Sequence, residues 1–298
     1  MRKSLYSFSI LFVLAIVVAG LIGSSVPASD KPKPEELVSK HLDALGSSDA
    51  REALKGLDVE GNAQAKFIQG GTGTSGGPFA MISENHKLMM KMVFGVATAQ
   101  EDTKVNGESY AFDGEKKTIG FISPGQRSQL EDFLNNNGEV VQEGLIGGTL
   151  STAWPLYDWQ NRKARLDVDG IKKVDGKELL RLTYHPRRGT GDLKIYLFFE
   201  PETFRHVKTI YTEQSQAQMG TSSSRSSIGG EGGGGANLTL QEDFGGFAKI
   251  NNLMLPTQWT IKYFQEGLGS GSSTIQFDMQ ISKIQANPNI SGVTFRIQ

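Results

Sequence analysis

The chain contains no cysteine. That absence excludes a disulfide framework, a thiolate metal site, a cysteine nucleophile and the attachment point of a bacterial N-terminal lipid. Net charge is almost absent too: 31 basic against 32 acidic side chains leave −1. Such a balance argues against a broad phosphate-binding surface, so no nucleic-acid partner is expected. Histidine is scarce. His41, His86, His185 and His206 form no pair at i, i+2 or i+4 spacing, so no local metal signature exists and neither a metal nor another cofactor is expected. The S-x-x-K pair and the Walker A loop are both missing. No nucleophile–base spacing can be recognised, and the chain reads as a non-enzyme.

Long apolar runs are also few. The one present covers residues 5–23, preceded by Arg2 and Lys3 and followed by Val26-Pro27-Ala28. A basic start, an apolar stretch and small residues at −3 and −1 make a signal peptide over 1–28, cleaved after Ala28. The expected destination is the periplasm. A retained anchor is the alternative, because a run of about 19 residues is borderline for crossing a bilayer. Loss of Arg2 and Lys3 with the leader takes the formal charge from −1 to −3.

Glycine is abundant: 36 of 298 residues, where about one in fourteen is usual. Part of the excess lies in two stretches, 70–77 and 214–235, both expected to be flexible insertions in a single domain spanning 29–298. Much of the rest punctuates short runs with a period of two. After an extended Lys31-Pro32-Lys33-Pro34, the spacing of Leu37, Val38, His41, Leu42 and Leu45 predicts a helix ending near Gly46. Short helices follow at 48–54 and 126–136. Alternation predicts strands at 57–67, 87–94, 108–112, 117–121, 163–169, 178–184, 192–199, 205–212, 237–244, 254–264 and 273–284. Asp113-Gly114 and Asp175-Gly176 read as hairpin turns. The stretch 143–155, apolar and glycine-rich, reads as a loosely held helix or an irregular loop. The fold class is mainly β (α+β), an antiparallel sheet of about ten strands.

Local motifs are weak. Gly71-Thr72-Gly73-Thr74-Ser75-Gly76 matches G-x-G-x-x-G, but Gly77-Pro78 and a new strand follow where a dinucleotide site needs a helix N-terminus. Asp167-Val168-Asp169-Gly170 lacks the third ligand of a calcium loop and reads as a strand end. His185-Pro186-Arg187-Arg188 reads as a solvated turn, and His41 as a packed helix residue.

The stronger signal is apolar alternation. One face would carry Leu166, Val168, Leu180, Leu182, Tyr184, Ile195, Leu197, Phe199, Val207, Tyr211, Trp259, Ile261, Tyr263, Ile275, Phe277 and Met279. Three modest helices are too few to cover about ten strands, so concave apolar area would be left for a ligand. Met89, Met90 and Met92 suit either a core or an adaptable binding wall.

The order of elements is similar to a known family. A helix over residues 35–46 precedes the strand Leu57-Asp58-Val59-Glu60-Gly61. Tyr110-Ala111-Phe112-Asp113-Gly114 and Val174-Asp175-Gly176-Lys177 follow. Leu197-Phe198-Phe199-Glu200-Pro201 comes next, and later Asn252-Leu253-Met254-Leu255-Pro256 leads to Trp259. This resembles the bacterial outer-membrane lipoprotein-sorting proteins of the LolA/LolB type, in a superfamily that includes sigma-factor regulators of the RseB type. The likeness covers most of 35–284. It implies an unclosed antiparallel β-barrel with a helical lid over an apolar cavity, binding lipid or lipoprotein acyl chains and carrying them across the periplasm. The cavity would be lined by Met90, Met92, Tyr110, Phe112, Leu197, Phe199, Tyr211, Trp259, Ile261, Tyr263 and Phe277. Leu37, His41, Leu42, Leu130 and Phe133 would form the lid. Peripheral membrane contact would accompany such a role. The alternative is an envelope sensor or interaction domain of the same fold, with Trp154 and the glycines before it as its docking surface.

Overall fold

Residues 31–94, 107–122, 125–214, 237–266 and 271–297 are described in a computed structural model. The expected signal peptide lies outside them, as does most of the expected insertion at 214–235.

The chain runs through β1 (Gly56–Gln69), β2 (Thr74–Glu84), β3 (Lys87–Val93), β4 (Gly107–Phe112) and β5 (Lys117–Ile119), each strand pairing with the last. It then leaves the sheet. Helices α3 (Gln129–Asn136) and α4 (Glu139–Gln142) and two 3₁₀ turns, Gly148–Leu150 and Pro155–Tyr157, form an excursion that ends at β6. A second meander returns through β6 (Arg165–Val174), β7 (Lys177–His185), β8 (Lys194–Phe199), β9 (His206–Gln214), β10 (Asn237–Gly245), β13 (Gln258–Glu266) and β14 (Ser273–Ala286). A small hairpin, β11 (Ala248–Ile250) with β12 (Leu253–Leu255), sits between β10 and β13.

Strand β14 pairs with β1 along nearly their whole length, from Leu57↔Ala286 to Gln69↔Thr274. The result is a 12-stranded antiparallel sheet in the order β5-β4-β3-β2-β1-β14-β13-β10-β9-β8-β7-β6. Its edges, β5 and β6, do not pair with each other, so the barrel is unclosed. They are nevertheless consecutive in the chain. Residues 120–164 must therefore travel from one edge to the other, and their apolar side chains draw this crossover over the apolar face of the sheet. It touches β4 and β5 through α3, and β9 through the first 3₁₀ turn.

Near the N-terminus, α1 (Pro34–Leu45) starts with proline in its first turn and Glu35 and Glu36 at the positive end of its dipole. It buries Leu37, Val38, His41 and Leu45 against β12, β6 and the 155–157 turn. Short α2 (Ser48–Ala53) is capped by the Ser47 hydroxyl. It supplies Arg51, whose guanidinium donates to the Leu42 carbonyl (2.6 Å) and to that of Gly46 at the end of α1.

Three expectations change. First, 14 strands form among the described residues where about ten were expected; β2 and β11 are additional, and the expected 254–264 strand divides into β12 and β13. Second, 70–77 is not wholly a flexible insertion, because Thr74–Gly77 belong to β2 and pair with Lys66–Ala63. Glycine is required there: a Cβ on Gly77 would run into the Val93 carbonyl. Third, Val207 leaves the apolar face. Phe198 pairs with Lys208 but Phe199 with His206, so Val207 is the extra residue of a β-bulge. The bulge turns His206 inward in its place, while Thr209 and Tyr211 keep the inward parity.

Candidate functional site

All eleven residues expected to line a cavity lie in one apolar cluster. Met90, Met92, Tyr110, Phe112, Leu197, Phe199, Tyr211, Trp259, Ile261, Tyr263 and Phe277 are 0–8 % exposed. The lid residues join them. Leu37, His41, Leu130 and Phe133 are buried, and half-buried Leu42 packs against the cluster. Phe133 meets Tyr211 and Tyr263 edge-on at 6.4 and 6.0 Å, and His41 meets Phe199 at 5.0 Å. Met89, of opposite parity, is half-buried on the other face.

The concavity is filled by the crossover itself. Leu145, Ile146, Leu150 and Trp154 are each 0 % exposed. The 143–155 stretch is therefore irregular but not loosely held. Trp154 is not a docking surface: its indole N–H donates to His41 Nε2 at 3.1 Å, deep in the core. Two clefts formed by described residues open elsewhere. One of about 840 Å³ lies among the turns at 174–178, 200–203 and 243–247, and one of about 340 Å³ beside α2, Leu42 and Tyr157.

A small set of polar contacts ties the crossover to the sheet. The Ser128 and Glu131 capping box starts α3; the Ser128 hydroxyl also donates to Glu108 on β4 at 2.6 Å, and Glu131 accepts the Ser109 N–H at 3.1 Å. Burial, reinforced by Glu131, holds the Glu108 carboxyl well above the ordinary carboxylate range. Asn137 donates to Glu213 on β9 at 3.1 Å. Tyr184 on β7 donates to Glu143 at 2.9 Å, and Lys117 on β5 donates to the Leu134 carbonyl at 3.4 Å.

The deepest tie is Glu242. Leu240, Glu242 and Phe244 share the inward face of β10, so a carboxylate stands in an apolar row, 0 % exposed. Its Oε1 accepts the Gly147 N–H of the crossover (2.7 Å) and the Trp259 indole N–H (3.0 Å). Its Oε2 accepts the Tyr211 hydroxyl at 2.8 Å. Burial pushes the carboxyl up to about 7 against the opposing pull of these three donors. Gly147 and Gly148 bend the crossover here with φ of +84° and +53°, a backbone that favours glycine.

Two of the histidines, His41 and His206, are buried in the core. His41 Nδ1 lies 3.0 Å from the Phe204 carbonyl, which can only accept, and Nε2 faces an indole N–H, which can only donate. The ring is thus neutral with its proton on Nδ1. Burial pulls its pKa down to about 4. His206, beside it at 6.3 Å, is pulled well below its usual value by burial and by His41.

Sequence reasoning missed Glu242, His206 and the packed role of Trp154. The parity of Leu240 and Phe244 pointed to Glu242; nothing local pointed to the bulge that turns His206 inward. The calcium-loop fragment resolves into ion pairs across β6 and β7. Asp169 accepts from Arg181 (2.9 Å) and Thr183 (2.6 Å), and Asp167 faces His185 at 2.9 Å. Among the described residues, no group of three or more His, Asp or Glu side chains could hold a metal ion. None of their helices is long and apolar enough to cross a membrane.

No protein-family model and no curated protein matches the chain. Several solved structures are similar at low identity. A LolA superfamily protein from Nitrosomonas europaea is 14 % identical, with 86 % of this chain and 94 % of that chain covered and a TM-score of 0.44. A structure described as an outer membrane lipoprotein-sorting protein domain from Vibrio parahaemolyticus is 10 % identical, covering 85 % and 94 %, with a TM-score of 0.40. A DUF1329 family protein from Desulfovibrio piger is 12 % identical, covering 86 % and 94 %, with a TM-score of 0.38.

Proposed function

We propose that this chain is an exported, non-enzymatic carrier that takes up the acyl chains of a lipid or lipoprotein in the periplasm. The supporting observation is the architecture of the cover. An unclosed sheet with a largely apolar inner face is covered by α1 and by a crossover of short helices and turns rather than by a second large sheet. Such a cover can exchange its own apolar side chains for a ligand's without breaking any strand pairing. Each methylene buried contributes about 0.8 kcal/mol, so a long chain can compensate for displacing Leu145, Ile146 and Leu150. The signal-peptide pattern at 1–28 supports the location. The test is direct: purify the mature protein from cell envelopes, extract it with solvent and analyse the extract by mass spectrometry. Stoichiometric lipid supports the reading. An empty extract, together with no binding of a fluorescent acyl probe, contradicts it.

A second reading rests on the tight internal packing. A domain whose interior is filled by its own crossover can serve as an envelope interaction module, using an outer surface such as the cleft at 174–178, 200–203 and 243–247. It predicts one specific partner in crosslinking experiments and unchanged lipoprotein sorting on deletion.

A further inference from the structure

The covered interior is not uniformly apolar, and its polar atoms are unevenly satisfied. Glu242 has three donors, of which Tyr211 and Trp259 belong to the sheet and Gly147 belongs to the crossover. Any ligand that displaces the crossover removes the Gly147 N–H. A buried acceptor left short of a donor is costly, so the incoming molecule is favoured if it brings an N–H of its own. On β4, the Tyr110 hydroxyl is fully buried and has no hydrogen-bond partner. Glu242 lies close enough for its charge to raise the Tyr110 pKa, and Tyr110 in turn raises that of Tyr211. The geometry links the two beneath the crossover: Tyr110 pairs with Met90 and Met90 with Met81, and Met81 packs against Gly147, whose N–H reaches Glu242.

One functional group answers both needs. An amide has an N–H for the carboxylate and a carbonyl for the phenol. An ester has only the carbonyl, and a free carboxylate brings a second negative charge into a buried site. Building on the acyl-carrier reading, we infer that the interior selects acyl chains headed by an amide. Glu242 takes the amide N–H in place of Gly147, and the Tyr110 hydroxyl donates to the amide carbonyl. The ligand class is an N-acylated amine or a fatty amide. The chain itself is held by apolar neighbours such as Phe79, Met81 and Ile261.

Equilibrium binding of three probes of equal chain length at pH 8 tests this: dodecanamide, methyl dodecanoate and dodecanoate. The wild-type protein should bind dodecanamide at least about tenfold tighter than the ester, and the ester tighter than the carboxylate. Glu242→Gln should narrow the amide-to-carboxylate ratio about tenfold, because the buried negative charge is gone. Tyr110→Phe should weaken dodecanamide binding while leaving the melting temperature at or above that of the wild type, since the hydroxyl it removes has no partner in the closed state. If the wild type binds all three probes within about threefold, or the ratio survives Glu242→Gln, amide selection is wrong while acyl carriage stands. If no probe binds, the carrier reading falls and the selection with it.

Discussion

Glu242 makes a quantitative prediction about stability that needs no ligand. In the folded chain its carboxyl titrates near 7; in the unfolded chain it reverts to about 4.5. Between those values the native state holds the proton and the unfolded state has lost it. By linkage, the contribution of Glu242 to stability is full below about 4.5 and is lost as pH rises through 7. A shift of that size corresponds to about 3 kcal/mol. Glu242→Gln removes the titration while keeping an acceptor for Gly147 or Trp259, and its amide N–H can donate to the Tyr211 oxygen. His41 works in the opposite sense. Its folded value of about 4 lies below the ordinary 6.5, so its contribution is present above 6.5 and is lost as pH falls toward 4. Buried His206 and Glu108 add further opposing slopes. The clean quantity is therefore the difference between variant and wild type, in which the other groups cancel. Urea unfolding followed by tryptophan fluorescence at pH 4 to 8 measures it. The stability of Glu242→Gln relative to wild type should rise by about 3 kcal/mol between pH 4 and pH 8. A difference that stays flat, or falls, refutes a buried carboxyl with a raised pKa.

Other substitutions probe the cover and the sheet. Trp154→Ala should cost about 3–5 kcal/mol in chemical denaturation, because it empties a fully buried site and strips His41 of its donor. Unchanged stability would restore Trp154 as a surface residue. Ser128→Ala removes the α3 cap and the bond to Glu108, and should cost about 1–2 kcal/mol, with faster amide exchange confined to 125–142. Gly77→Ala should destabilise by about 1–3 kcal/mol through the Val93 carbonyl, whereas Gly176→Ala, with no atom within 4 Å of the added carbon, costs only its left-handed backbone.

Much of this was legible because it is local. Helix α1 announces itself by the spacing of Leu37, Val38, His41 and Leu45, and the β6–β7 hairpin by Asp175-Gly176, whose φ values of +48° and +80° fit a tight turn. The inward parity of β7, β8 and β13 follows from period-two alternation. What was not legible is non-local. Strand β2 opens Thr74-Ser75-Gly76-Gly77, a composition typical of loops, and this opening is a strand through its pairing with β1, while β3 pairs only from Phe79 onward. The bulge at Val207 depends on how β8 pairs with β9. The course of residues 120–164 over the concave face follows from which strands end up at the edges. That depends in turn on β14 pairing with β1, more than 200 residues away in the chain.

On the carrier reading, the crossover must move for an acyl chain to enter. Because the protein has no cysteine, two can be placed at will. Gln129 at the start of α3 and Ser273 at the start of β14 exchange exposed hydrogen bonds at 3.2 and 3.3 Å, so Gln129→Cys with Ser273→Cys can be tied by a short bis-maleimide. Binding of a fluorescent acyl probe is then compared with the same protein blocked by N-ethylmaleimide. The blocked protein should bind and the tied protein should not. Equal binding by both, or binding by neither, would contradict a carrier gated by its own crossover.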